Sequence, residues 1–192
     1  MPESPGKGID RGENMSVRAK TPLFCQEALV REVERITADM RFQNPRGGDL
    51  LPLRVFSQSL PVPQKKEGGS LSGEDTIEYQ DGEEEEAIFQ CPWCLVKIDG
   101  GKVPEINGGQ EVSFGICFGV FRDDVRNQGH REILNLISRV YERFAKNPLL
   151  DGQYTCTGTF QWNLAEEDTY PYFFGAIAAS FTFTGFRREM SD

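Results

Sequence analysis

Histidine occurs once in this chain of 192 residues, at His130, and tryptophan only twice. With one imidazole and no Ser or Cys motif beside it, the sequence offers no visible base for nucleophilic catalysis. Cysteine is sparse too. Cys25, Cys91, Cys94, Cys117 and Cys156 make an odd number of scattered thiols, unlike the paired framework of a disulfide-stapled domain. Reduced, mostly buried thiols are expected. No stretch approaches the ~20 apolar residues of a membrane span. Residues 1–20 are polar and contain Gly and Pro, without the apolar core of a secretion signal. The expectation is a soluble protein that is not exported and has no membrane partner. Positive charge is also short, with 21 Lys plus Arg against 30 Asp plus Glu and a net charge of −9. That balance disfavours phosphate-backbone binding as the main activity, so no direct sequence-specific nucleic-acid contact is expected.

A chain of this length suffices for one real core, burying roughly 70% of its unfolded surface. The reading is a flexible N-terminal segment over 1–20 and a single domain over 21–189, interrupted by a mobile acidic loop at about 61–86. That loop carries Pro-Val-Pro, Gly-Gly-Ser and the run Glu83 to Glu86.

Thr21-Pro22 reads as an N-cap and first helical position, and Leu29, Val33, Ile36 and Met40 continue at helical spacing toward Phe42. Leu51, Leu53 and Val55 alternate in a short extended segment. A second extended run covers Ala87 to Ile98 and ends at Asp99-Gly100-Gly101. A third, Glu111 to Phe121, sets Val112, Phe114, Ile116, Phe118 and Val120 against Ser113, Gly115, Cys117 and Gly119. The small side chains of the second set suggest a helix lying across them. His130 to Lys146 has Ile133, Ile137, Val140 and Phe144 in one stripe, widened by Leu134, Leu136 and Tyr141. Tyr154 to Leu164 and Phe173 to Phe186 alternate as half-buried strands, with Phe160 and Trp162 turned inward. This order predicts an α+β fold, a mostly antiparallel sheet of four to five strands with two helices packed on one face.

Cys91-Pro92-Trp93-Cys94 is the one motif with enzymatic associations. A redox C-x-x-C pair needs a following helix to lower its first thiol, and Leu95 to Ile98 leads straight to a Gly turn instead. Cys91 and Cys94 are also the weak candidates for zinc, but no second tight pair supplies the remaining ligands. Neither Gly100-Gly101 nor Gly108-Gly109 matches a phosphate-cradling loop. The aromatics Phe160, Trp162, Tyr170, Tyr172, Phe173 and Phe174 read as core or subunit contacts. No catalytic residue, metal or cofactor is expected.

With these elements in place, the chain resembles the tail completion or tail terminator proteins, and related minor tail proteins, of long-tailed bacteriophages and prophages. The resemblance rests on Cys91 to Lys97, Val112 to Asp123, Gly129 to Ile137, Asn147 to Leu150, Trp162, and Asp168 to Gly175. It implies a non-catalytic α+β subunit that forms a homo-oligomeric ring on the tail tube and helps join it to the head. Its partners would be further copies, the tube and head–tail connector proteins, first in the host cytoplasm and then in the virion. Candidate assembly contacts are Glu83, Glu84, Glu85, Glu86, Arg139, Arg143, Tyr170, Tyr172 and Arg187. An acidic lumen lined by Glu83 to Glu86 would repel passing DNA. The alternatives are a thiol-redox or zinc protein using Cys91 and Cys94, an acidic interaction module that occupies a partner's basic site, and a prophage protein of another role.

Overall fold

Thr21 caps the first helix, α1 (Pro22–Thr37), by accepting the Phe24 N–H on its hydroxyl at 3.2 Å, with Pro22 opening the first turn. A computed structural model describes residues 20–61, 91–105 and 108–185. The expected N-terminal segment up to residue 19 and the expected acidic loop from residue 62 lie outside the described residues.

Helix α1 buries Cys25, Ala28, Leu29 and Val33, and it stops at Thr37 rather than near Phe42. Phe42 instead forms a two-way backbone bridge with Leu51, at 2.9 and 2.8 Å, and its ring enters the core. Burying that ring is worth roughly 1.5–3 kcal/mol, which outweighs another turn of exposed helix.

The fold is α+β, as expected, but its sheet has six strands and is mixed. In chain order they are β1 (Arg54–Ser57), β2 (Trp93–Lys102), β3 (Gly109–Phe121), β4 (Leu149–Leu150), β5 (Tyr154–Leu164) and β6 (Tyr172–Thr184), with helix α2 (His130–Lys146) between β3 and β4. The spatial order is β1-β2-β3-β6-β5-β4. Only β1 and β2 run parallel, and the other pairings are antiparallel. Two short edge strands account for the undercount. β4 is a two-residue strand, and β1 begins only at Arg54 because Leu51 is taken by its bridge to Phe42.

The Asp99-Gly100-Gly101 segment does not end β2. The strand continues to Lys102 across a register shift between Ile98 and Gly100. Gly101 runs so close to β3 that a Cβ there would sit 3.2 Å from the Glu111 carbonyl.

Both helices lie on one face, and the core is continuous beneath them. It joins Cys25, Leu29 and Val33 of α1 and Ile133, Leu136, Val140 and Phe144 of α2 to Cys94, Val96, Phe114, Ile116, Phe118, Ile177 and Phe181 of the sheet. Phe144 and Phe114 both meet Phe181 edge-on, with centroids 5.1 and 5.8 Å apart. The helices therefore cover the large apolar side chains of β3. The expectation of a helix across Ser113, Gly115, Cys117 and Gly119 is overturned, because burying Phe and Ile side chains gains more than a close approach to Gly and Ser does.

Buried Gln26 ties α1 to the sheet. Its Nε2 donates to the Val96 carbonyl at 2.7 Å and to Gln58 Oε1 at 3.1 Å, and the same Gln58 oxygen accepts the Ile98 N–H at 3.0 Å.

Candidate functional site

The sheet face away from the helices is open among the described residues. Its rows follow from the strand register. Trp93, Gly119 and Phe174 align across β2, β3 and β6, followed by Leu95, Cys117 and Ala176, and then Lys97, Gly115 and Ala178. Small residues on the two central strands leave the backbone within reach of whatever lies on this face. Part of that space is taken up internally. A Cβ on Gly119 would fall 2.5 Å from the Trp93 indole, whose ring tilts 30° against Phe174 at 5.9 Å. Likewise the Asp99 carboxylate leans over Gly115, where a Cβ would come within 2.8 Å. Farther along, the Ser113 and Ser180 hydroxyls hydrogen-bond across the strands at 3.0 Å.

The second feature is the far edge of the sheet. β4 pairs only with Tyr154 and Thr155, so β5 from Gly158 to Leu164 has a neighbour on one side alone among the described residues. Trp162 was expected to turn inward. It does share the face of Ile177, but it is 58% exposed. Tyr141 of α2, expected in the buried stripe, is 51% exposed and meets the half-buried Phe160 edge-on at 5.3 Å.

A third feature is the polar seam between the helices. Glu32 of α1 receives both Arg35, at 2.8 Å, and Arg143 of α2, and Asp39 pairs with Arg139 at 2.8 Å. The Arg35 hydrogen bond and the Arg143 guanidinium hold the Glu32 carboxyl below its ordinary range. Arg35, Asp39, Arg139, Glu142, Arg143 and Lys146 line a shallow cleft of about 430 Å³. Of these, Arg139 and Arg143 were candidate assembly contacts. Both are engaged within the subunit, Arg143 also donating to the Asn147 and Leu149 carbonyls, so they serve first as a clamp between the helices.

At the end of the sheet, the Tyr170 hydroxyl donates to Asp123, whose own N–H donates to Gln43 at 2.8 Å. Tyr172 packs against Phe121 with centroids 5.3 Å apart. Tyr170, still 45% exposed, thus fastens the β5–β6 connection to the chain after β3, while Tyr172 and Phe121 pair at the ends of β6 and β3. In the same loop Arg122 joins Asp124 at 2.7 Å to Glu132 at 2.8 Å. Burial pushes the Glu132 carboxyl above its ordinary range. Glu83, Glu84, Glu85, Glu86 and Arg187 lie outside the described residues.

Cys94 sits on the core face of β2 and Cys91 just before the strand, both buried. Burial pushes the Cys91 thiol up to about 12 and Cys94 also well above the ordinary thiol value. That environment stabilises thiols and disfavours the thiolate needed for exchange or metal ligation. Among the described residues no three His, Cys, Asp or Glu side chains converge as metal ligands. No described helix is long and apolar enough to cross a membrane.

No protein-family model matches the chain, and a search of curated proteins finds no relative.

Sequence reasoning missed the open β5 edge. Its signal was legible in part, since Gly158 to Leu164 has aromatics but no charged residue and no proline.

Proposed function

We propose that this chain is a structural protein of long-tailed bacteriophages or prophages, a tail completion or terminator-like subunit that forms a ring on the tail tube and helps join it to the head. It acts by assembly and docking rather than by catalysis. The observation that carries this reading is the one-sided helical cover of the sheet. Both helices lie on one face, and the opposite face of β2, β3 and β6 is lined by Leu95, Gly115, Cys117, Ala176 and Ala178 with no described element over it. A subunit built in two layers with small residues along its open face suits close contact with repeated neighbours. A closed ring of identical copies needs two different complementary surfaces on each.

The partners on this reading are further copies of the chain, the tail tube and the connector. The test is the mass of the full chain by light scattering over a range of concentrations, with negative-stain images of the same fractions. Closed rings support the reading. A one-copy mass throughout, with no rings in the images, counts against it.

A further inference from the structure

The open edge of β5 has a geometry that specifies its occupant. In an antiparallel ladder, successive residues point their backbone N–H and C=O alternately toward one neighbour and then the other. The Ala165 N–H bonds the Phe174 carbonyl at 3.0 Å, so Asn163 and Gln161 direct their backbone groups toward β6. Phe160, Trp162 and Leu164 therefore direct theirs outward, where no described strand receives them.

Edge strands in monomers are usually blunted by Lys, Pro, a bulge or inward charges. Between Phe160 and Leu164 this strand has none of them, and the register shift lies earlier, between Cys156 and Phe160. Trp162, at 58% exposure, stands in the middle of the regular stretch.

We infer that β5 is a two-fold docking edge for a second copy of this chain, pairing antiparallel with its own equivalent about an axis through Trp162. The charge pattern favours a second copy over a basic or acidic partner. The chain has a net charge of −9, yet this strip is uncharged, so two copies meet here without like charges in the ladder. The register is self-complementary. Phe160 faces the second copy's Leu164, the two Trp162 side chains stand side by side on the helix face, and Gln161 faces the second copy's Asn163 on the other. Each of those amides both donates and accepts. The outward groups of Phe160, Trp162 and Leu164 then all fall in hydrogen-bonded pairs. This contact joins two copies and does not by itself close a ring, so it stands or falls separately from the tail role.

The register gives a direct test on the full chain. Gln161 and Asn163 of opposing copies form a non-hydrogen-bonded pair with Cα atoms about 4.5 Å apart, within the range of an unstrained disulfide. Gln161→Cys and Asn163→Cys are made separately, mixed and oxidised mildly. The expected result is a mixed Q161C–N163C disulfide dimer several-fold in excess of either homodimer, lost on prior unfolding. In parallel, Trp162→Ala should lower the light-scattering mass toward one copy at concentrations where the parent is paired. Disulfide dimers in random proportion, or none, overturn the inference, as does a parent chain whose mass stays at one copy.

Discussion

The indole of Trp93 lies over Gly119 of the neighbouring strand, in the space a side chain there would occupy. A Cβ would meet three indole atoms at 2.5 to 2.9 Å, so Gly119→Ala must displace the ring from its place beside Phe174. The expected cost is about 1–3 kcal/mol, the range for overpacking. Gly100 is the control, since it lies in β2 with nothing within 4 Å of an added Cβ. Gly100→Ala should change stability by less than about 1 kcal/mol. Urea unfolding of the two variants reads the difference, and equal losses would contradict the packing described.

Buried Gln26 predicts a second effect. Gln26→Ala strips a donor from the Val96 carbonyl and from Gln58 and leaves a small void between α1 and β2. The loss should be about 0.5–1.5 kcal/mol, because each acceptor keeps a second donor, the Gln58 N–H at the Val96 carbonyl and the Ile98 N–H at Gln58. A loss well under about 0.5 kcal/mol in urea unfolding would show that water replaces the amide freely.

Two carboxylates should respond to acid in opposite senses. Glu32 is held below its ordinary value of 4.5, so its contribution is present above that pH and lost as pH falls through the lower folded value. The stability gap between the parent and Glu32→Gln should therefore shrink below about pH 4.5. Glu132 is raised, so its favourable contribution is present below 4.5 and lost as pH rises through the higher folded value. Glu132→Gln should accordingly compare better with the parent at pH 7 than at pH 4. Thermal melts at the two pH values check both signs.

Thiol accessibility is the fourth prediction. Cys25, Cys91, Cys94 and Cys156 are buried and Cys117, on the open sheet face, is half-buried. A thiol reagent should label Cys117 first in the folded protein and all five cysteines after unfolding. Fast labelling of Cys91 or Cys94 would revive the redox alternative.

Local patterns carried much of the fold. α2 and β5 lie where periodicity set them, and the alternation of β3 correctly separated a large-residue face from a small one. Which face the helices cover was not legible in β3 alone, because it depends on where α1 and α2 dock. Phe42 escaped the helical pattern because its bridge to Leu51 is a contact between residues outside any regular element. β4 is too short to leave a pattern. For the candidate contacts, Arg139 and Arg143 read as wet-face cations, and only the fold reveals that Asp39 and Glu32 await them across the helix seam. Trp162 was legible as a strand residue but not as an exposed one, since alternation alone does not show which strand stands at the sheet's edge.

The tail-assembly reading is tested most directly at the tube itself. Tail tubes from the same genome are mixed with the full chain and imaged by negative stain. The account predicts a ring of density capping one end of each tube, absent when the chain is omitted. Tubes whose ends stay bare at saturating concentrations of folded protein would contradict it.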